Sequence, residues 1–243
     1  MNNKIEKSIY SLFVSQLYDD VVFKFKRNVL KKQMNIPWMR YREIELIKDL
    51  ILNLKPKASL EWGAGSGTEF FTNYISEDCK WISVEHNQEW AESVSERNKK
   101  PNVSIVFKGP NHEPTPGIYY GLVDYRINDG TYEDFKDYIE YPSEHAPYDL
   151  ILIDGRARTQ CLTKSVDLLS KKGIVILHDA NRVQYHEGFK HYQQGVLFTD
   201  QRESSGGIWI GTNSETPLSE VLDVDTYLRL WNLYFNFGKL IKV

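Results

Sequence analysis

Residues 58–67 run Ala58-Ser59-Leu60-Glu61-Trp62-Gly63-Ala64-Gly65-Ser66-Gly67, an apolar stretch that ends beside an acid and hands over to three glycines at alternate positions. The first half predicts a buried strand. Glycine is needed after it because the chain must turn tightly and bring its backbone close to a ligand with no Cβ in the way. A helix is expected next, through Phe70, Phe71 and Tyr74. A glycine-rich turn also occurs as plain structure, so its meaning rests on what the neighbouring strands carry.

Working outward, residues 81–85, 103–107, 148–154 and 173–178 predict the second to fifth strands, alternating with helical patterns. That alternation implies a parallel sheet with helices on its faces. Residues 195–198 and 207–210 are joined by a turn-like stretch and predict an antiparallel pair closing one edge. The expected fold is therefore α/β: Rossmann-like, doubly wound, with a mostly parallel seven-stranded sheet.

Helical spacing of Ile5, Ile9, Leu12, Phe13, Leu17 and Val21 predicts an N-terminal helical cap over 1–40, and 41–54 predicts a second helix ended by Lys55-Pro56. The main domain is expected to span 41–213. About forty residues separate the third and fourth strands, too many for one crossover helix, so 108–147 reads as an insertion. Residues 109–117 are rich in proline and glycine and read as a loop, with His112 in it; 131–141 predict a helix. Residues 214–243 form a C-terminal extension whose run from Tyr227 to Phe237 is apolar enough to pack on the domain or on a second copy, allowing a homo-oligomer.

Composition narrows the function classes. The 243 residues carry a formal charge of −3, leaving no broad basic field for a phosphate backbone, so nucleic acid is not an expected partner. No apolar run approaches the roughly 20 residues that span a bilayer, and a membrane is not expected either. Cys79 and Cys161 are far apart and lack metal-ligand spacing, which suits a reducing cytoplasm.

Glu85 ends the second strand 24 positions after Glu61. At that separation a carboxylate beside the glycine loop can accept both hydroxyls of a ribose; a strand-end glutamate facing solvent is the plain alternative. The dinucleotide fingerprint calls for glycine or alanine two residues after Ser66, but Thr68 stands there. The pattern acid-x-Gly-x-Gly-x-Gly instead resembles the first motif of class I S-adenosylmethionine-dependent methyltransferases. The resemblance covers roughly 41–213. It implies that Glu61, Gly63, Gly65 and Gly67 wrap the methionine part of S-adenosylmethionine, that Glu85 holds the ribose, and that His86 sits beside the adenine. It also implies an acid for the adenine amino group, with Asp129 the candidate and Asp124 its competitor. Pro37-Trp38, Tyr41-Arg42-Glu43, Ser83-Val84-Glu85-His86 and the run Ile153-Asp154-Gly155-Arg156-Ala157-Arg158 look like a subgroup linked to glycan and secondary-metabolite biosynthesis. The Asn-Pro-Pro-Tyr type motif of base N-methyltransferases is lacking after the fourth strand.

Asp154 and the pair His178-Asp179 fall at the ends of adjacent strands, the edge where ligands bind in open parallel sheets. One mechanism makes His178 or Asp179 a general base, with Asp154 beside it. Another has Asp154, Asp179 and Asn181 hold a divalent ion such as Mg²⁺ that acidifies an acceptor hydroxyl. The bland alternatives are Asp154 as a helix cap and His178 as a core histidine. Arg156, Arg158 and Arg182 flank the same edge and suit either an anionic acceptor or surface ion pairs. The expected activity is O-methylation of a sugar, glycan or other small hydroxylated metabolite. Aminopropyl transfer on the same fold, for which the expected Gly-Gly-Gly-Asp-Gly is missing, and a non-catalytic binding subunit are the competing readings.

Overall fold

The computed structural model describes residues 2–29, 36–112, 129–200, 202, 205–215 and 217–241. Seven strands, β1 (Ala58–Trp62), β2 (Lys80–Glu85), β3 (Val103–Phe107), β4 (Tyr148–Ile153), β5 (Leu169–His178), β6 (Gln194–Phe198) and β7 (Ile208–Thr212), form one sheet. Their order is β3-β2-β1-β4-β5-β7-β6. The first five are parallel; β7 runs antiparallel to both β5 and β6. The strand order reverses beside β1, so the chain leaving β1 and the chain leaving β4 turn to opposite faces, at the crevice where such sheets take ligands.

Both faces of the sheet are covered, and the side-chain alternation shows how. Leu150 and Leu152 point to one face, where they meet Leu46, Ile47 and Leu50 of helix α2 (Tyr41–Leu54). Ile151 and Ile153 point to the other, with Leu60, Trp62 and Leu162 of helix α6 (Arg158–Leu168). Strands buried on both sides must be apolar throughout, which is why β4 reads as a continuous run. Helix α2 ends where Lys55 adopts φ 51° and returns its N–H to Ile51 O, immediately before Pro56.

Helix α1 (Asn2–Asn28) lies against α7 (Val224–Ile241): the Phe13 and Tyr234 rings are 4.7 Å apart, and the Tyr234 hydroxyl donates to Gln16 Oε1 at 2.9 Å. Leu230, Trp231 and Tyr234 are buried in the same core as Phe198, Ile208 and Ile210. The apolar C-terminal run is thus used within the chain. The burials of Leu230 and Trp231 contribute roughly 2–3 kcal/mol each, which holds α7 to the sheet.

Two local expectations shift. The helix expected over 131–141 is shorter, α5 (Lys136–Glu140), because Asp134 Oδ2 accepts from the backbone and hydroxyl of Thr131 and holds a turn there. It continues as a 3-10 turn over Tyr141–His145, with Pro142 near its start. The connection from β6 to β7 is also more than a turn, since it brings Asp200 and Arg202 back toward α2. Most of the 108–147 segment's middle, 113–128, lies outside the described residues, and Asp124 with it.

Candidate active site

Beyond Trp62 the chain enters the glycine turn, and helix α3 (Ser66–Phe71) begins. Gly63 has φ 100°, and a Cβ on it would come within 2.6 Å of the Gly155 backbone. Only a bare backbone lets the ends of β1 and β4 approach this closely. Gly65 and Gly67 are different: a Cβ there meets nothing nearer than 3.7 and 3.5 Å. Both border a cavity of about 960 Å³ lined by Glu61, Glu85, His86, Trp90, Asp154 and His178 among others, and a Cβ would make ordinary contact with Trp90 from Gly65 and with Glu61 and Phe71 from Gly67.

Glu61 is 1% exposed and holds the loop from below. Its Oε2 accepts from Ser83 Oγ at 2.5 Å, Thr68 Oγ1 at 2.6 Å and Trp81 Nε1 at 3.3 Å. Thr68 Oγ1 in turn accepts the Gly65 N–H at 2.9 Å. Burial pushes the Glu61 carboxyl up to about 7, against the pull of those three donors. Its Oε1 sits under Gly67 at the cavity wall.

At the end of β2, Glu85 accepts the Asn87 N–H on Oε1 at 2.9 Å. His86 Nδ1 lies 2.8 Å from the same oxygen, in a geometry that makes no hydrogen bond. The His86 ring is held edge-on by Phe135 and Tyr138, with centroids 5.9 and 6.4 Å away. Asn87 caps helix α4 (Gln88–Arg97) by accepting the Trp90 N–H, and the Trp90 indole donates to Ala64 O at 2.6 Å. Trp90 therefore clamps the glycine loop from outside. Its signal in the sequence was only an Asn cap three residues before an aromatic, and it was missed.

The second cluster stands at the ends of β4 and β5. His178 Nδ1 is 2.8 Å from Asp154 Oδ1, and its Nε2 is 3.7 Å from Glu43 Oε2 and 4.0 Å from Asp179 Oδ1. Burial lowers the affinity of the ring for a proton, but the charges of Asp154 and Asp179 and the hydrogen bonds of Asp154 and Glu43 outweigh it, raising His178 to about 10. This environment favours the protonated ring at neutral pH, which speaks against His178 as a general base, since a base must be free of its proton to act.

Asp179, at φ 58°, is equally committed. Its Oδ2 takes Arg182 Nη2 at 2.6 Å and Arg158 Nη1 at 3.5 Å, and its Oδ1 takes the Gly206 N–H. Burial raises the carboxyl, yet His178, Arg158 and Arg182 together pull it down to about 2. Arg158 also donates to the carbonyls of Gly155, Asp154 and His178, so it is a buried brace and not an acceptor-binding arm.

Glu43 is the residue that sequence reading placed only within a resemblance. It is fully buried, accepts the Arg40 and Gly207 N–H groups at 2.7 and 3.0 Å, and pairs with Arg202 Nη2 at 2.6 Å. Burial works against its charge, but Arg202, His178 and Arg42 hold it well below the usual carboxylate range. Arg202 and Arg42 both reach Asp200.

Two expected site residues lie elsewhere. Asp129 does not border the cavity: its Oδ2 accepts the Arg158 N–H at 2.9 Å and the Tyr185 hydroxyl at 3.2 Å, and its carbonyl accepts the Ala157 N–H. It caps α6, the task that the bland reading gave to Asp154. Asn181 turns its carboxamide to Thr199, Asp200 and Ser205, and so offers no ligand to Asp154 and Asp179.

The donor set decides how well the two implied groups fit. Asp154, His178 and Asp179 can bring ligand atoms within 4.8 Å of one another. However, the His178 nitrogen nearest Asp154 is bonded to it, and two arginines already neutralise Asp179. Mg²⁺ prefers oxygen ligands and water, and this cluster offers a cation in their place; it does not fit. A nucleoside with a short charged tail does fit: the cradle at Gly65 and Gly67 would be filled by a Cβ, and a carboxylate stands at each end.

This strand order, with an acid-flanked glycine turn after β1 and an acid after β2, defines the class I S-adenosylmethionine-dependent methyltransferase fold. The chain belongs to the family described as Protein-L-isoaspartate(D-aspartate) O-methyltransferase (PCMT), whose profile matches residues 3–210. Among solved structures it resembles an O-methyltransferase from Bacillus cereus in complex with SAH, at 13% identity over 82% of this chain and 98% of that one, with a TM-score of 0.51. A methyltransferase from Geobacter sulfurreducens is similar at 12% identity over 82% and 90%, also with a TM-score of 0.51. A cofactor-bound protein from MTB aligns at 12% identity over 81% and 97%, with a TM-score of 0.52. No curated protein matches the chain.

Proposed function

We propose that the chain methylates an oxygen of a sugar, glycan or other small hydroxylated metabolite, with Asp154 receiving the acceptor's proton. The supporting observation is the exposure of Asp154: 30% of its side chain is open, against 13% for Asp179, 4% for Glu85 and none for Glu43. It is the most open of these four carboxylates. His178 and Arg158 both hold its Oδ1, which leaves Oδ2 for an incoming hydroxyl.

In this reading the glycine loop and Glu61 take the methionine part of the cofactor, Glu85 its ribose, and His86 lies along the base. Bound S-adenosylmethionine supplies a methyl group already activated by its sulfonium. The protein's tasks are alignment and proton removal. The acceptor hydroxyl would donate to Asp154, which would take its proton while bound S-adenosylmethionine supplied the methyl group. His178 positions that carboxylate. The buried free thiols of Cys79 and Cys161 accord with a cytoplasmic setting.

Calorimetric titration with S-adenosylmethionine, followed by methyl-transfer assays on a panel of sugars and glycosides, tests the proposal. Tight cofactor binding with no transfer to any hydroxyl, across a broad panel, would remove the acceptor assignment and spare the cofactor.

A second acceptor class has a specific observation behind it. The family's description names an aspartyl-type carboxylate, which is a nucleophile without losing a proton, and cationic His178 with Arg156 at the cavity edge suits an anion. Assaying an isoaspartyl peptide beside the sugar panel separates the two. Aminopropyl transfer is less well supported, because both oxygens of Asp179 are engaged and cannot receive a polyamine.

A further inference from the structure

Helix α1 has two apolar faces, and among the described residues only one is packed against the protein. Ile9, Phe23 and, in part, Phe13 and Leu17 face the body of the protein, together with buried Gln16 and Asp20. On the opposite side Tyr10, Val14, Tyr18, Val21, Phe25 and Val29 are each 54–68% exposed. The Val29 N–H still bonds to Phe25 O, so the helical path continues through it. At 3.6 residues per turn these six fall within an arc of roughly 100° and form a stripe roughly 28 Å long. Asp19, Asp20, Lys24 and Lys26 of the same stretch lie off that arc at 3.6 residues per turn.

Spacing along the stripe is symmetric. Reading inward from both ends pairs Tyr10 with Val29, Val14 with Phe25, and Tyr18 with Val21, each pair centred on the Asp19–Asp20 peptide. Every pair joins one ring to one valine. Two copies laid antiparallel across a two-fold axis would therefore set large against small at each of six contacts, the arrangement that packs an interface without voids. A parallel pairing would instead oppose ring to ring and valine to valine, and the 4-4-3-4-4 spacing does not keep one heptad seam.

The area is sufficient. The six side chains expose roughly 700 Å² per copy, so complete burial on pairing would remove at most roughly 1,400 Å² from water, against about 1,200–2,000 Å² for stable specific interfaces. An apolar patch of this size on a lone chain exceeds what monomers ordinarily leave open.

We infer that the outer face of α1 is the interface of a two-fold dimer in which Tyr18 of one copy meets Val21 of the other. The glycine loop and the Asp154–His178 pair lie on other elements, so this inference stands independently of the acceptor.

Sedimentation velocity on the full chain at micromolar concentration tests it. The wild type is expected at twice the 28.4 kDa chain mass. Tyr18→Glu is expected to raise the dimer dissociation constant about a hundredfold or more, since it places a charge at two symmetric contacts. Circular dichroism and S-adenosylmethionine titration should show the variant folded and binding as before. Tyr18→Glu combined with Val21→Lys should restore the dimer, because antiparallel pairing sets each glutamate opposite a lysine. A monomeric wild type, a dimer indifferent to Tyr18→Glu, or a double variant that stays monomeric would each overturn the inference. So would a monomer that floats with anionic phosphatidylserine vesicles, which would make the stripe a lipid-facing surface.

Discussion

Across the seam between β4 and β5, His178 Nδ1 approaches Asp154 Oδ1 to 2.8 Å, while Glu43 stands 3.7 Å from the other ring nitrogen. A buried imidazolium flanked by carboxylates is a fixed charge, and Asp154 is the member of the group open to the cavity. Replacing it should strike chemistry and not cofactor capture. Asp154→Asn is expected to lower methyl transfer by about 10²–10⁴, the range for losing a positioned proton acceptor, with S-adenosylmethionine affinity changed less than about threefold. Equal losses of turnover and cofactor affinity would contradict the assignment.

The charge on His178 gives stability a pH dependence of definite sign. Its proton is held more tightly in the folded chain, at about 10, than at the ordinary 6.5. The stabilisation is complete below 6.5 and fades as pH rises through about 10, at a rate approaching 1.4 kcal/mol per pH unit within that window. Urea titrations at pH 7, 8 and 9 should show this decline in the wild type and a flatter profile in His178→Gln.

Glu61 predicts a second pH effect, on binding. Burial raises its carboxyl to about 7, so folding gains from the protonated form below the ordinary 4.5 and loses that gain as pH rises through 7. The ionised form is the one that can meet the ammonium of the methionine moiety. Cofactor affinity should rise by about tenfold between pH 6 and 8. Glu61→Gln should bind more weakly and show no such rise by calorimetry.

The glycine turn separates fold from function at two nearby positions. Gly63→Ala forces a Cβ against the Gly155 backbone at φ 100° and should cost roughly 2–4 kcal/mol of stability. Gly65 has extended backbone and nothing within 3.7 Å of a new Cβ. Gly65→Ala should therefore leave the urea midpoint nearly unchanged yet weaken cofactor binding at least about tenfold, because the methyl enters the cradle.

What could be read in advance follows from how local each signal is. The strands, the glycine turn and the acids at 61 and 85 are written in consecutive residues, so period and spacing revealed them. Asp154 and His178 were placed together by the rule that parallel strands end at one edge. The protonation of His178 could not be read, since it depends on Asp154 and Glu43 reaching one ring from different elements. The capping role of Asp129 was hidden for the same reason: its sequence context shows an acid before a helix, but only three-dimensional packing shows that its Oδ2 caps α6, the helix starting at Arg158. The outer stripe of α1 was half visible, because Val21 was read as part of a single apolar face where two exist.

Glu43 makes the remaining prediction, and it concerns how α2 is tied to the active site. The carboxylate is 0% exposed and shares Arg202 with Asp200, which also binds Arg42. Arg42 in turn stacks 4.1 Å from the Tyr234 ring centroid, so the ion network runs from α7 through α2 to His178. Removing one partner of a buried pair costs more than the pair is worth, because the other charge is left desolvated. Arg202→Met is expected to destabilise the chain by roughly 3 kcal/mol. Arg202→Met with Glu43→Gln should recover only part of that loss: the amide carries no charge, but the Arg40 and Gly207 N–H groups bond to different oxygens of the carboxylate and the single amide oxygen keeps one of them. The double variant should nevertheless show a lower His178 pKa by NMR titration, as one of the groups holding that proton is gone. A double variant no more stable than Arg202→Met would mean that the arginine acts by packing and not by charge.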